Sequence, residues 1–501
     1  DQSIDSTTSY IKPVIDNVTN HSTINTIRPF TEVTLVGSNF GTDVDTSVSA
    51  WYGTATESKL YSATGCYFTD DVPPNIKCTT AEVKPGHNRS GLRWIVSLEQ
   101  QESNASSNSE TQYAIPKITS CQDNILKPRE SRTVTLNGQY FGKQTSGARV
   151  NGWYGIATPT SMNKYYIATN CQVNSDSEMT CDSADSIKLG IIRTKLQWIV
   201  QIEDQESAIS DDKTTRFEIP QITSIADDTE LPTASSTVVT LTGKYFGINN
   251  LNIDGWYGNA SNPKYYRARN CNITNDTNIH CSSIPVKGGI NREGLKWTIK
   301  IEDQESEQFN ISTTSYKKPV ISSLINNIDL PTNGGRDVYL TGSNFGYPGM
   351  SVVGYYGNST SSLQKKYTSS GCTIMSDTSI KCVSVAVRSG ISRVGLRWIV
   401  MIENQESDQS IDATTSYKKP VISSLINNTD LPTNGSRDVY LTGSNFGYPG
   451  MSVVGYYGIS TSSLQKKYTS SGCTIMSDTS IKCVSVAVRS GISRVGLQWI
   501  V

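Results

Sequence analysis

The chain has 501 residues, enough for several domains, and its 44 basic and 45 acidic residues leave it almost neutral. Proteins that bind nucleic acid usually carry a basic excess or a basic stripe, and this sequence has neither, which argues against a nucleic-acid partner. The sequence also lacks an apolar run of roughly eighteen residues, so we predict no membrane span in this segment.

The sequence repeats one unit of about 100 residues five times. Each unit passes through an alternating segment, a Gly-x-x-Phe-Gly turn, an aromatic-Tyr-Gly triplet, a pair of cysteines and a closing segment with a tryptophan. Self-similarity at a fixed period is typical of proteins built from tandem structural units. An aromatic residue and a proline three positions later open the units: Tyr10/Pro13, Tyr113/Pro116, Phe217/Pro220, Tyr316/Pro319 and Tyr417/Pro420.

These motifs divide the chain into five repeats. We predict repeats 1 to 5 over residues 10–112, 113–216, 217–315, 316–416 and 417–501. Residues 1–9 match residues 408–416, which predicts that they end the closing strand of a preceding repeat, and repeat 5 is expected to lack its closing strand. Either the polypeptide continues past both ends, or a neighbouring copy completes repeat 5 by strand addition.

Alternation with a period of two predicts half-buried strands within each repeat. In repeat 4, Val338 and Leu340 are expected to face inward, and Asp337, Tyr339 and Thr341 outward. Short strands separated by Gly, Asn, Asp, Ser and Pro are typical of β-sandwiches. We therefore predict an all-β protein of five tandem immunoglobulin-like β-sandwich domains in an elongated array. The short segments between repeats predict stiff joints and a length of roughly 30–40 Å per repeat.

The cysteine pairs predict disulfides. Folding the segment 372–382 about Asp377 places Cys372 opposite Cys382, with Ile374 opposite Ile380 on the same face. Directly opposed Cβ atoms lie roughly 4.5–5.5 Å apart, close to what a disulfide needs. The alternative, zinc, would require two further ligands near each pair, and the chain has 3 histidines. The predicted disulfides are Cys66–Cys78, Cys171–Cys181, Cys271–Cys281, Cys372–Cys382 and Cys473–Cys483.

Regular disulfides indicate an oxidising, extracellular or cell-surface location. Cys121 is left over, as a free thiol or as a bridge to another chain. The sequence also contains eleven Asn-x-Ser/Thr triplets, and we expect some of them to carry N-linked glycans. Repeats 4 and 5 differ at four positions over 317–400 and 418–501, and three of those changes create or remove such a triplet. The candidate asparagines are Asn17, Asn20, Asn88, Asn104, Asn259, Asn272, Asn275, Asn310, Asn358, Asn427 and Asn434.

Three motifs have a chemical and a structural interpretation. Gly-x-x-Phe-Gly has no following helix and no Lys-Ser/Thr, so we expect its glycines to permit a positive-φ turn and its Phe to fill the core. Glu302, Asp303 and Glu305 either bind calcium at a junction or lie on a solvated strand with adjacent carboxylates on opposite faces. The aromatic-Tyr-Gly triplets either form a sugar-binding platform or fill the core. We predict no catalytic residue, no cofactor and no metal site.

The repeated pattern resembles the IPT/TIG domain. The resemblance is carried by Pro-x-Ile, the Val-x-Leu-x-Gly-x-x-Phe-Gly turn, Ile-x-Cys and the closing segment with Gln-Glu-Ser, and it covers all five repeats, although the last lacks its closing segment. It implies an immunoglobulin-like sandwich without catalytic residues. Members of this family occur in plexin-type and scatter-factor-type receptors, in tandem-repeat adhesion proteins of social amoebae and in DNA-binding transcription factors.

The two functional hypotheses differ in what the divergent repeats do. In the first, the chain is a segment of a long extracellular filament, stalk or surface appendage, and its partners are further copies of itself or adjoining repeats. In the second, it is an adhesion or recognition ectodomain whose divergent repeats 1 to 3 bind a cell-surface protein or glycan. An enzyme is a third and more remote hypothesis.

Overall fold

The computed structural model describes residues 8–43, 45–107, 110–143, 147–226, 230–310, 313–358, 365–459 and 466–501. Within these ranges every helix or strand assigned is a β-strand, and the strands pair antiparallel apart from two short parallel pairs. The strand end predicted at residues 1–9 lies mostly outside the described residues. The all-β prediction is confirmed.

Each repeat is a sandwich of two antiparallel sheets, because its strands alternate buried and exposed side chains and each sheet has an apolar face to cover. The cysteine sheet contains the disulfide hairpin, and the tryptophan sheet contains the aromatic-Tyr-Gly strand and the closing tryptophan strand. In repeat 1 the cysteine sheet has the order Val14–Thr19, Glu32–Ser38, Ile76–Thr79, Thr64–Phe68, and the tryptophan sheet the order Tyr61–Ser62, Val48–Gly53, Arg93–Leu98, Gln101–Glu102.

The same order recurs along the chain. In repeat 2 the long strand Met162–Ser175 joins both sheets into one: Gln205–Glu206, Gln197–Ile202, Val150–Ala157, Met162–Ser175, Glu178–Asp182, Thr133–Gln139, Lys117–Gln122. The cysteine sheet of repeat 3 is Gln221–Ala226, Val238–Lys244, Asn278–Ser282, Arg269–Asn275, and its tryptophan sheet is Asn262–Arg267, Ile253–Asn259, Lys296–Ile301, Gln304–Glu305. The parallel pairs are Ile125–Leu126 with Arg216–Phe217 and Glu230–Leu231 with Ser315–Tyr316.

Repeats 4 and 5 follow repeat 3. The cysteine sheet of repeat 4 is Val320–Ile325, Asp337–Ser343, Ser379–Val383, Gly371–Ser376, and its tryptophan sheet is Tyr367–Thr368, Val352–Asn358, Leu396–Ile402, Gln405–Glu406. The cysteine sheet of repeat 5 is Val421–Ile426, Gly435–Ser444, Ser480–Val486, Cys473–Ser477, and its tryptophan sheet is Tyr468–Thr469, Tyr456–Ile459, Leu497–Ile500. Val338 and Leu340 are buried, as predicted, and the alternating residues Asp337, Tyr339 and Thr341 are only partly buried.

The disulfide geometry predicted from the sequence is present. Cys372 lies opposite Cys382 and Ile374 lies opposite Ile380 in the hairpin of repeat 4. A disulfide joins the two cysteines in every repeat, with Cα–Cα distances of 4.0–4.1 Å. The sulfur atoms occupy the space beside Gly354, where an added Cβ would lie 2.7 Å from the Sγ of Cys372. Close approach of the bridge therefore explains the glycine before the triplet in repeats 2 to 5.

The Gly-x-x-Phe-Gly turn differs in one respect from the prediction. Phe345 is fully buried, and Gly346 has a φ of 89°, as expected for a positive-φ turn. The first glycine has another role, because a Cβ on Gly342 would lie 1.8 Å from the carbonyl oxygen of Val320. The positive φ falls on Asn344 as well, at 62°. The turn thus needs one glycine for space and one for backbone conformation.

The aromatic residue that opens each repeat in the sequence packs in the core of the repeat before it. Tyr113 is fully buried, and its hydroxyl donates to the carbonyl oxygen of Ala81 at 2.9 Å and lies 2.9 Å from the hydroxyl of Tyr52. It also pairs in parallel with Ile24 of repeat 1. We therefore propose that each sandwich ends just after this aromatic residue, which moves the boundaries from the sequence-based positions. The equivalent residues are Phe217, Tyr316 and Tyr417.

Candidate functional site at the junctions between repeats

The prediction that the acidic residues of the closing segment lie on a strand is wrong for Glu302 and Asp303, which lie in a turn, and confirmed for Glu305, which pairs with Lys300. Ile301 pairs with Gln304, so Glu302 and Asp303 form a two-residue turn between the tryptophan strand and the short strand that follows it. Glu302 has a positive φ of 52°. Both carboxylates therefore project from the end of the sandwich. We call this two-residue segment the junction turn; its members are Glu203-Asp204, Glu302-Asp303 and Glu403-Asn404.

The junction turn of one repeat binds the backbone of the preceding repeat. Asp303 accepts hydrogen bonds from the amide of Arg193 and the hydroxyl of Thr194, both in repeat 2. Glu302 accepts from the amide of Gly190 at 3.2 Å and from its own repeat, at the amide of Asn252, at 2.9 Å. Hydrogen bonds to a carboxylate are about twice as strong as neutral ones.

The first junction repeats this arrangement. Asp204 accepts from the amide of Arg89 at 2.6 Å, and Glu203 accepts from the amide of Gly86 at 2.7 Å. Arg149 of repeat 2 pairs with Glu203 at 2.9 Å. These carboxylates bind N–H and O–H donors in place of the calcium ion considered above. Within the described residues no group of three or more His, Cys, Asp or Glu side chains is placed to hold a metal ion.

An arginine crosses each junction in the opposite direction, and it is buried at the first three junctions and partly buried at the fourth. Arg292 is fully buried, and its guanidinium donates to the carbonyl oxygens of Lys317, at 3.2 Å, and of Asn344, at 2.9 Å, in the turn of repeat 4. Desolvation lowers the pKa of Arg292 to about 10, a value at which it still carries its charge at neutral pH. The equivalent arginines are Arg89, Arg193 and Arg393, which reach the carbonyl oxygens of Tyr140, Tyr245 and Asn445.

A glutamine fixes the chain where it passes from one repeat to the next. The side-chain amide of Gln304 in repeat 3 donates to the carbonyl oxygen of Phe217 at 2.7 Å, and the ring of Phe217 lies in the core of repeat 2. The same bond joins Gln205 to Tyr113 and Gln405 to Tyr316. The residue at the boundary is therefore held by both sandwiches: its ring packs in the earlier repeat, and its carbonyl oxygen is bound by the later one.

An aspartate at the tip of the disulfide hairpin adds a further contact. Asp377 accepts from the amide of Gly346 in its own repeat at 2.8 Å and from the hydroxyl of Thr233 in repeat 3 at 2.6 Å. The junction between repeats 2 and 3 lacks the threonine, because Pro128 takes its place in the sequence. Burial raises the pKa of the corresponding carboxyl group, Asp276.

Apolar side chains close the later junctions. The buried apolar residues of repeats 2 to 5 form one continuous cluster, and those of repeat 1 together with Tyr113 form another. Met350 lies against Gly346 of its own repeat, and Val286 of repeat 3 approaches the same point, 3.3 Å from where a Cβ of Gly346 would lie. Leu251 and Met451 take this position in repeats 3 and 5. The successive sandwiches are therefore joined by packing as well as by hydrogen bonds.

The aromatic-Tyr-Gly triplet is divided between core and surface. Tyr257 is fully buried, whereas Trp256 is partly exposed. The ammonium of Lys264 lies over the Trp256 ring, 4.7 Å from its centroid, and pairs with Glu305 at 2.6 Å. Repeats 1, 2, 4 and 5 carry the same lysine over the first aromatic residue. A lysine covering the ring favours the structural interpretation over an open sugar-binding platform.

The asparagines of the predicted glycan acceptors lie mainly at the surface. Asn259 and Asn358 are partly buried, and the other nine are exposed. Exposure is compatible with N-linked glycans, which remain a prediction.

Cys121 is the cysteine outside the five disulfides, and it is buried. It faces Leu136 across the cysteine sheet of repeat 2, and burial raises the pKa of its thiol to about 12. The structure therefore favours the free thiol over the bridge to another chain. We expect one thiol per chain to react with iodoacetamide only after unfolding, as counted by mass spectrometry. A covalent dimer on a non-reducing gel that is lost on substituting Cys121→Ser would contradict this.

Sequence reasoning pointed to the acidic residues of the junction, with calcium as their candidate ligand, but not to the arginine that crosses it. The arginine stands five residues before the closing tryptophan in every repeat, so its period was visible. Its partners are backbone carbonyl oxygens of another repeat, and no side-chain pattern marks those.

No helix of the described residues is long and apolar enough to cross a membrane.

Comparison with known proteins gives structural likenesses only. No family model and no curated protein matches the chain. The extracellular region of plexin A4 aligns with 95% of this chain at 12% identity and a TM-score of 0.18, and this chain spans 47% of it. The FN1-FN3 domains of chicken CNTN1 align with 61% of the chain, over 99% of their own length, at 10% identity and a TM-score of 0.17. The S-layer protein rSbsC(31-844) aligns with 98% of the chain, over 67% of its own length, at 8% identity and a TM-score of 0.13.

Proposed function

We propose that this chain is a non-enzymatic extracellular structural protein, a segment of a long glycosylated tandem-repeat filament, stalk or surface appendage. The observation that carries the proposal is the recurrence of one inter-repeat contact set. Arginines cross all four junctions, buried at the first three and partly buried at the fourth, and junction turns bind the preceding repeat at the first two through two carboxylates each. A protein whose domains must move independently would not require such contacts at successive junctions.

Stiffness follows from how these contacts are arranged. The arginine points from the earlier repeat into the later one, and the junction turn points from the later repeat into the earlier one. Bending at the joint would therefore break hydrogen bonds on at least one side. The segment that links repeats 2 and 3 is also fixed in position. The ring of Phe217 packs in repeat 2, and its carbonyl oxygen accepts a hydrogen bond from Gln304 of repeat 3.

The disulfides support the extracellular placement. Five bridges, one in each repeat, would not persist in the reducing cytosol. Each bridge closes a hairpin of about ten residues and stabilises its own repeat by at most about 3 kcal/mol. An array whose units are each locked separately is suited to a long extracellular structure, where a damaged unit cannot be refolded by chaperones.

Negative-stain electron microscopy of the purified chain tests the proposal. We expect straight rods of about 150–200 Å, at roughly 30–40 Å per repeat, with a narrow distribution of bend angles. A string of freely jointed beads would overturn the structural function. Rods that bind cells through repeats 1 to 3, and lose binding when those repeats are deleted, would support the adhesion ectodomain in its place.

A further inference from the structure

We propose that repeat 3 carries a binding groove for an anionic polysaccharide, a function beyond the structural one. The groove has a volume of about 600 Å³ and lies where the chain passes from the tryptophan sheet to the cysteine sheet. Its charged lining residues are Arg267, Arg269, Lys287 and Asp254, three cations and one carboxylate. The whole chain has a formal charge of −1, so this local excess of positive charge is a property of the groove.

The carboxylate neutralises only one of the cations. Arg267 pairs with Asp254 at 2.6 Å, and both side chains remain well exposed, at 71% and 42%. Arg269 and Lys287 are exposed, and neither side chain has a hydrogen-bond or ion-pair partner among the described residues. Guanidinium and ammonium groups held at the edge of a groove without a counter-charge are suited to binding an anion.

The free ammonium of Lys287 distinguishes repeat 3 from repeats 1, 2 and 4, whereas in repeat 5 the equivalent Arg489 is also bonded through its backbone amide. Repeats 1, 2 and 4 have a basic residue at the same position, and there the side chain donates to a backbone carbonyl oxygen of its own repeat. Lys84 binds the carbonyl oxygen of Leu60, Lys188 that of Tyr165 and Arg388 that of Lys366. In repeat 3 the hydrogen bonds of Lys287 are formed by its backbone, whose amide donates to the hydroxyl of Tyr266 and whose carbonyl oxygen accepts from it.

The arginine pair is also confined to repeat 3. Arg267 lies opposite Trp256, and the residue opposite the equivalent aromatic is Ser62, Ile167 or Thr368 in repeats 1, 2 and 4. The position of Arg269 is held by Thr64, Thr169 and Ser370. A fold that forms without these arginines in the other repeats does not need them for stability. Their presence in one repeat therefore indicates a task specific to that repeat.

The lining favours a sugar over an acidic peptide or a nucleic acid. The floor contains Ala268 and Ile284, both buried at less than a tenth exposure, so it offers an apolar surface below a cationic rim. A sulfated or uronate sugar has the complementary form, with apolar ring carbons and charges at its edge. The choice of a polysaccharide rests on the extracellular placement proposed above, since such polymers are abundant outside cells.

Titration of the full chain with a sulfated dextran oligosaccharide tests this inference, by calorimetry or by fluorescence anisotropy of a labelled probe. The variant Arg267→Ile/Arg269→Thr carries the residues that repeat 2 has at these positions, so repeat 3 should fold. We expect its affinity for the probe to fall at least about tenfold, because two charge-assisted contacts are lost. The control variant Lys418→Thr/Lys419→Thr removes the same charge from exposed positions outside the groove and should change affinity by less than about twofold.

Each remaining outcome decides the inference. Equal loss in both variants, or equal binding of neutral dextran, would show that no groove is recognised. Tighter binding of poly-glutamate than of either anionic sugar would assign the groove to acidic peptides and overturn the polysaccharide. Comparison with polygalacturonate separates the two supporting sources, sulfate and carboxylate. Failure of these titrations leaves the rods expected in electron micrographs unaffected, so the two proposals fail separately.

Discussion

Replacing Trp297 with alanine should lower the free energy of unfolding of repeat 3 by about 3–5 kcal/mol. The indole is fully buried, stacks on Tyr257 with ring centroids 4.7 Å apart, and donates to the hydroxyl of Thr314 at 2.9 Å. Alanine would remove this packing and leave a cavity between the two sheets. The loss should be confined largely to repeat 3, because stability in tandem arrays is local to each unit and its neighbours.

Hydrogen exchange followed by mass spectrometry measures this effect repeat by repeat. Protection should fall over residues 217–316 and remain in repeat 5. Trp256→Ala is the matched control, since it changes the same residue type in the same repeat at a partly exposed position under Lys264. Its effect should be clearly smaller. Equal destabilisation by both variants would contradict the assignment of Trp297 to the core.

Replacing Glu302 and Asp303 with alanine should loosen the joint between repeats 2 and 3. The two carboxylates bind the amides of Gly190 and Arg193 and the hydroxyl of Thr194. A hydrogen bond to a charged group contributes about 1.5–3 kcal/mol, so losing the set should remove at least about 3 kcal/mol of coupling between the repeats. This joint is the most sensitive, because it already lacks the threonine–aspartate bond seen at the other three.

Electron micrographs of the variant should show a broader distribution of bend angles two repeats from one end, with each sandwich intact. Glu305→Ala is the control, because Glu305 belongs to the same hairpin but forms an exposed ion pair with Lys264. Exposed pairs contribute about 0–1 kcal/mol, so the control rods should stay straight. Straight rods from the double variant as well would show that the junction turn does not set the stiffness.

The repeated fold follows from local patterns. The alternation that buries Val338 and Leu340 and the register that opposes Cys372 to Cys382 both depend on the period of two in a strand, which the sequence displays directly. The five bridges follow from the same register. The positive φ predicted for the Gly-x-x-Phe-Gly turn was found at Gly346, whereas Gly342 is explained by the close approach of a carbonyl oxygen from another strand.

The partners of the junction residues could not be predicted from these patterns, for a physical reason. Arg292, Gln304 and Asp303 form hydrogen bonds with backbone atoms of a neighbouring repeat. Because nearly every residue has the same backbone groups, the sequence does not show which of them will be bound. The alternation predicts a strand at Glu302 and Asp303, because it cannot show where a hairpin turns when polar residues occupy both faces. The motif spacing assigns Tyr113 to repeat 2, whereas its ring packs in repeat 1, because spacing does not show on which side of a boundary a side chain packs.

By itself the sequence determined the number of repeats, their β class and the cysteine pairing, since each depends on spacing along one chain. Only the tertiary structure decided how one sandwich meets the next and that three cations of repeat 3 line one groove. Those features depend on distances between segments that are remote in sequence. The neutral charge of the whole chain concealed the basic groove of repeat 3, because total charge carries no information about where charges lie.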